Sequence, residues 1–289
     1  MIVDTHVHVI ANDQARYPRK AGPLPDWVQD LSAETLLQLN REAGIDRTIL
    51  VQGFGPYGFD NTYAADCAIA HRDKFASVCI VDHCAPDAPA TLTYWVKERG
   101  VRGLRLFTVE EPEVFIDDPR LLPLWERAAE LAIPVCLLMR SHQLERLPSL
   151  LERFPQTPVA LDHAALPRLR DGAPYTSLKP LFDLARFPHL YLKFSSETIY
   201  ASLRGKSTPR DFFERLVERF GSRRLMWGSN FPATNDRSLK EQLLMAREEL
   251  SFLREEDQRW IFGATALLLW PELRSQNGEC SVSGSLAIT

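Results

Sequence analysis

At 289 residues, 45% of them hydrophobic and 25% charged, the chain has the make-up of a globular protein with enough apolar material for one large core. A formal net charge of −4 and the lack of any lysine-arginine block exclude long-range attraction to nucleic acid or an anionic membrane. Five cysteines (Cys67, Cys79, Cys84, Cys136, Cys280) form no CxxC spacing, which points to buried free thiols in a reducing compartment rather than disulfides or a thiolate zinc site. No apolar run reaches the roughly 18 residues of a membrane span, and the chain opens on a strand pattern rather than a signal peptide. A cytoplasmic location is the expectation.

The first stretch, residues 2–9, alternates apolar and polar side chains. On an extended strand Asp4, His6 and His8 share one face with Ile2, and two imidazoles converge on one point. Taken alone, this is equally well a half-buried strand that carries two histidines. A loop over residues 10–31 follows, where Pro18, Pro23 and Pro25 forbid a long helix. Ser32 caps a helix that runs to Ala43 and stops at Gly44. Residues 48–52 form the second strand, Gly53, Gly55, Pro56 and Gly58 a loop, and Asp60 caps a helix to about Arg72. Further strands are predicted over residues 75–81, 101–107, 134–139, 159–163, 190–194 and 225–229. Helices fall between and after them, over 88–99, 119–132, 143–154, 177–186, 209–220, 239–253 and 255–269. Eight alternating strand-helix units argue for an α/β protein of one domain, a (β/α)8 TIM barrel over residues 1–273. Residues 274–289 turn to Ser, Gly and other polar types and read as a C-terminal tail.

In such a barrel the chemistry lies at the C-terminal ends of the strands. Those ends carry His6 and His8, Gln52, Asp82 and His83, Arg105, Arg140 and His142, His163, Lys193 with Ser195 and Ser196, and Asn230. Strand ends meet water and are polar for that reason alone, yet three histidines converging with arginines and a lysine exceed what exposure explains. Trp27, Tyr57, Phe59, Phe107 and Tyr200 fall in the loops above and could wall a ring-shaped ligand, whereas helix packing accounts better for Trp95, Trp125 and Trp260.

Asp4-Thr5-His6-Val7-His8, the following Tyr17-Pro18, Leu161-Asp162-His163-Ala164 and Met226-Trp227-Gly228-Ser229-Asn230-Phe231-Pro232 resemble the amidohydrolase superfamily. Within it they are similar to the branch that holds 2-pyrone-4,6-dicarboxylate lactonase and the sugar and muconate lactonases. The resemblance runs from Ile2 to about Leu273 and implies a hydrolase in which His6, His8 and His163 meet a metal or the scissile carbonyl. It implies a possible mononuclear zinc or other divalent ion on His6, His8 and His163, or no metal at all. The carboxylated lysine of dinuclear relatives has no counterpart, because the fourth strand offers Arg105, whose guanidinium stays protonated.

One departure stands out. The family's strand-eight carboxylate, which takes the proton of the attacking water, is matched by Asn230, an amide without a basic oxygen. Three explanations remain open: an introduced Asp→Asn change, a natural variant with another base such as His163, or a protein that has left hydrolysis.

Arg105 is placed to grip a carboxylate in a fork, with Arg140 or Lys193 for a second anionic group; Gln52 and Tyr57 complete the expected substrate contacts. The structural alternative for Arg105 is an ion pair with Asp82, Glu110 or Glu111. The leading expectation is hydrolysis of an anionic lactone (a pyrone-, muconate- or sugar-acid lactone) in aromatic catabolism, with Asn230, His163, His6 and His8 as the catalytic group. A metal-dependent decarboxylase of an aromatic or muconate acid and a catalytically silent binding protein are the alternatives. A small anionic molecule is the expected partner, and a homo-oligomer stays open.

Overall fold

In the computed structural model, which describes residues 1–109 and 113–274, the strands and helices alternate as the sequence pattern requires. In chain order they are β1 (Val3–Val7), α1 (Ala33–Ala43), β2 (Arg47–Val51), α2 (Phe54–Tyr57), α3 (Thr62–Ala70), β3 (Phe75–Ile80), α4 (Ala88–Lys97) and β4 (Leu104–Phe107). Then come α5 (Leu122–Glu130), β5 (Val135–Leu138), α6 (Leu147–Arg153), β6 (Val159–Leu161), α7 (Lys179–Asp183), β7 (Leu190–Phe194), α8 (Ser196–Ser202) and α9 (Pro209–Phe220). The last are β8 (Leu225–Trp227), α10 (Leu239–Glu249), α11 (Glu255–Arg259) and α12 (Ala266–Leu269). The polar tail expected over residues 274–289 lies, apart from Arg274, outside the described residues, as does Cys280.

The strands pair in parallel in sequence order, β1 to β8. Closure comes from the chain beyond β8: Asn230 N–H donates to the His6 carbonyl at 2.8 Å and His8 N–H to the Phe231 carbonyl at 2.9 Å. Asp4 reinforces the seam, because its Oδ1 accepts from Ser229 N–H at 2.9 Å and His6 N–H at 3.1 Å. Gly228 is needed here, since a Cβ at that position would lie 2.8 Å from His6 Cβ. The barrel is therefore a (β/α)8 TIM barrel in one unit, with the first strand stitched to the last directly beneath the histidines.

Local sequence explains the outer helices. Ser32 caps α1 through Thr35 N–H at 3.2 Å, and Gly44 ends it in the left-handed region at φ 76°. Thr208 caps α9, which turns Phe212, Phe213, Leu216 and Phe220 inward at helical spacing. Cys67, Cys79 and Cys136 are buried free thiols, as expected, while Cys84 is exposed. Three features differ from the sequence pattern. The glycine loop after β2 contains the short α2, Ser195 starts an unanticipated α8 through a capping box, and the last predicted helix is broken by a π-helical turn at Trp260–Ala264. Among the described residues no helix is long and apolar enough to cross a membrane.

Candidate active site

The C-terminal ends of β1, β4, β6, β7 and β8 bring six of the expected residues together: His6, His8, Arg105, His163, Lys193 and Asn230. All six are buried. The ring centroids of His6 and His8 lie 5.1 Å apart and those of His6 and His163 4.8 Å apart. Trp27, from the loop after β1, leans over His8 at 5.5 Å. Phe54 stacks on Phe107 at 4.7 Å and packs edge-on against Phe59 at 5.2 Å. Gly55 is held so close to Trp27 that a Cβ would stand 2.7 Å from its ring, so this aromatic cover depends on a glycine. Beside it an apolar cavity of about 350 Å³ opens between Phe54, Phe107, Thr108 and Arg120. A larger cavity, about 700 Å³ around Arg47, Phe75 and Arg102, sits at the opposite end of the barrel, away from the histidines.

The charge centre of the cup is a residue that the sequence pattern carried only as part of a motif, Asp162. It is fully buried and accepts from Arg105 Nε at 2.7 Å, with Lys193 Nζ at 3.3 Å and His6 Nδ1 at 3.5 Å. Burial alone would raise its pKa, but Lys193 and Arg105 hold it well below the usual carboxylate range. Burial likewise works against the Lys193 cation, and Asp162 and Cys136 more than offset it, so Lys193 lies above its ordinary value. Arg105 thus pairs with Asp162 rather than with Asp82; Glu110 and Glu111 lie outside the described residues. Two cations around one carboxylate leave one positive charge in excess within this triad. The signal for Asp162 in the sequence is its place beside His163 at the end of β6.

Each histidine has a fixed orientation. His8 Nδ1 lies 2.9 Å from the Val51 carbonyl, which can only accept, so Nδ1 carries the proton and Nε2 is left as an acceptor. The Arg105 guanidinium can only donate, so His6 Nε2 accepts from it at 3.4 Å and Nδ1–H faces Asp162. His163 Nδ1 shares a 2.8 Å hydrogen bond with Ser195 Oγ. All three stay neutral near pH 7. Burial lowers His6 well below its usual value, His8 to about 4 with help from the Arg105 charge, and His163 to about 3. Burial pushes Asp4 the other way, up to about 6.

Backbone conformation sets two of these side chains. β6 ends at Leu161, not at His163, and His163, Ala164, Ala165 and Leu166 all adopt positive φ between 52° and 61°. For residues with a Cβ this costs on the order of 1–2 kcal/mol each, and the turn swings His163 toward Ser195. No glycine in the sequence announces it. Asn230 also sits at positive φ, 63°, a region that asparagine tolerates. Its Nδ2 donates to Thr234 Oγ1 at 3.0 Å and Glu197 Oε1 at 3.3 Å.

The remaining expected substrate contacts are otherwise engaged. Gln52 is buried, with its Nε2 donating to the Asp60 carbonyl and, at 3.4 Å, to that of Gly58, so it holds the loop after β2. Tyr57 Oη accepts from Ala11 N–H at 2.7 Å and packs with Ile10 and Tyr17. Arg140 turns to Glu113 at 3.5 Å and lines a separate groove of about 550 Å³ with His142 and Arg168. A metal preformed on His6, His8 and His163 does not fit these donors. The His6 Nε2 lone pair is directed at a guanidinium, and a second cation there would face the Arg105 charge. Among the described residues, the trio whose donor atoms all lie within 4.8 Å of one another is instead Asp82, His83 and Cys84.

A parallel eight-stranded barrel whose strand ends gather three histidines, an aspartate, an arginine and a lysine carries its polar groups where TIM-barrel enzymes have their active sites. The chain belongs to the amidohydrolase family, whose pattern it matches over residues 3–271. It is 26% identical over 238 residues to the L-fucono-1,5-lactonase of Burkholderia ambifaria, covering 80% of each chain. It is also 26% identical over 238 residues to the 4-sulfomuconolactone hydrolase of Hydrogenophaga intermedia, covering 79% of this chain and 74% of that one. An amidohydrolase of Burkholderia multivorans solved with bound zinc shares the fold at a TM-score of 0.73 and 24% identity, covering 94% of this chain and 99% of that one.

Proposed function

We propose that this chain hydrolyses an anionic lactone. The observation that carries the reading is the Arg105–Asp162–Lys193 triad, buried at the centre of the cup with one positive charge in excess. A substrate carboxylate answers that excess, and the guanidinium offers donors beyond the Nε that Asp162 occupies. Two relatives that act on lactones, one of them on a sulfonated muconolactone, agree with this chemistry. The aromatic cover of Trp27, Phe54 and Phe107 supplies flat apolar surface for a ring above the charged floor.

In this reading water adds to the ring ester carbonyl. If Ser195 donates its hydroxyl proton to His163 Nδ1, then His163 Nε2–H points a hydrogen bond at the developing oxyanion. His8, fixed by Val51, presents Nε2 as an acceptor that orients the water, and Asn230 bounds the same side. His6 steers the Arg105 guanidinium rather than touching the reacting atoms. Arg105 and Lys193 hold the substrate anion, with Arg140, Gln52 and Tyr57 outside the reacting shell. No step passes through a metal.

A panel of sugar-acid, muconate and pyrone lactones, followed by proton release at constant pH, tests the reading. Turnover of at least one anionic lactone, with little activity on its neutral ester analogue, is the expected result. Release of CO2 from an aromatic or muconate acid without any lactone turnover would move the protein to the decarboxylase class. Binding of a lactone acid with no chemistry would make it a silent binder.

A further inference from the structure

On the lactone-hydrolase reading above, we infer that Glu197, on α8, is the general base of this site and takes the proton of the attacking water across the Asn230 amide. Three carboxylates touch the groups of the cup among the described residues. Asp162 is locked between Arg105 and Lys193, fully buried, and held in its ionised form by both cations. A carboxylate so stabilised is a poor proton acceptor. Asp4 lies within the barrel seam, where its Oδ1 takes the N–H groups of His6 and Ser229, so it serves the backbone beneath the histidines. Glu197 alone of the three is exposed to water, and it reaches the cup through Asn230.

Its position is built. Glu197 Oε1 accepts from Asn230 Nδ2 and from Thr234 Oγ1, each at 3.3 Å. Among the described residues Oε2 takes no protein hydrogen bond, which leaves lone pairs for a water. Behind them the fully buried Gln242 accepts from Ser196 Oγ at 2.9 Å and donates to the Thr234 carbonyl at 2.7 Å. One glutamine thereby ties the start of α8 to the loop after β8 and fixes Glu197 relative to Asn230. With Nδ2 committed to Glu197 and Thr234, the Asn230 carbonyl oxygen faces His8, whose Nε2 is itself an acceptor. Asn230 is thus in hydrogen-bond reach of His8 on one side and of Glu197 on the other, and in this assignment the attacking water sits against that bridge, with His8 Nε2 accepting one of its protons and Glu197 Oε2 the other.

The step balances as follows. The water oxygen bonds to the ring carbonyl carbon while one of its protons passes to Glu197, and the carbonyl π pair moves onto oxygen. Collapse restores the C=O and breaks the ring ester C–O bond, and the proton held by Glu197 passes to the departing oxygen. The product is the ring-opened hydroxy acid, and Glu197 returns to its ionised form.

Glu197→Gln keeps the length and the acceptor oxygen but removes the basicity. On a lactone that the wild type turns over, kcat should fall by about 10²- to 10⁴-fold with KM changed far less, and the acid limb of the kcat/KM profile should vanish. The double variant Glu197→Gln/Asn230→Asp returns a carboxylate one amide away and should recover at least about tenfold over Glu197→Gln. A Glu197→Gln enzyme within about threefold of wild-type kcat overturns the inference. So does a loss that Asn230→Asp does not restore and that accompanies a lowered melting temperature, because a loop-holding role predicts that pattern. No wild-type turnover on the whole panel refutes the lactone reading and this base with it; turnover indifferent to Glu197→Gln refutes the base alone.

Discussion

Asp162→Asn is the sharpest perturbation of the charged floor, because it removes one negative charge and almost no volume. The carboxylate lies 2.7 Å from Arg105 Nε and 3.3 Å from Lys193 Nζ with no solvent contact. Removing one member of a buried pair costs on the order of 3–5 kcal/mol, since the partner charge is left without compensation. In a chain of this size each kcal/mol moves the midpoint by roughly 2–4 °C, so the melting temperature should drop by about 10 °C. The pH dependence is diagnostic. In the native protein Asp162 raises Lys193 above its ordinary value, so this group adds no slope to stability between pH 7 and 9. Without Asp162, burial lowers Lys193 instead; the unfolded chain then binds the extra proton, and stability must rise with pH over that interval. Thermal and urea unfolding of both proteins at pH 7, 8 and 9 measures the effect. A variant that melts within about 2 °C of wild type at pH 7 and shows no upward slope would mean that the two cations do not depend on Asp162.

Arg105→Ala should cost on the order of 2–4 kcal/mol in kcat/KM toward the anionic lactone, roughly 30- to 1000-fold; a variant that loses only thermal stability and keeps its kinetics assigns Arg105 to the scaffold. Acid should destabilise the fold before the carboxylates titrate. The folded-state pKa values of His8 and His163, about 4 and 3, and that of His6 lie below the unfolded value of 6.5, so the unfolded chain binds more protons as pH falls from 6.5. Asp4, raised to about 6, works in the opposite sense but is one group against three. Melting temperatures should therefore decline steadily from pH 6.5 to 4.5, and a flat profile would show that the imidazoles accept protons in the native state. Dialysis against a chelator should leave kcat/KM within about twofold, because Arg105 directs its charge at the His6 lone pair. Loss on chelation, with recovery on adding zinc, would show that the guanidinium moves aside for a metal.

The barrel was legible in the sequence because its signals are local. Alternating strand-helix units, Ser32 and Gly44 at the ends of α1, and the inward phenylalanines of α9 depend on neighbours a few residues apart. The histidines of β1 were legible for the same reason: period-two alternation puts His6 and His8 on one face whatever the rest of the chain does. The partners of those residues were not. Arg105 and Asp162 are 57 positions apart, and Asn230 and Glu197 are 33 apart, so only the closed barrel brings them within hydrogen-bonding reach. The left-handed run at His163–Leu166 carries no glycine to mark it, so nothing in the local sequence signals it. Gln52, Tyr57 and Arg140 had the right chemistry at the right strand ends, yet the loops use their polar atoms to hold Asp60, Ala11 and Glu113. Sequence alone determined which residue types reach the rim. Tertiary structure decided which of them are free to meet a substrate, because a hydrogen-bonding group is defined by the partner that claims it first.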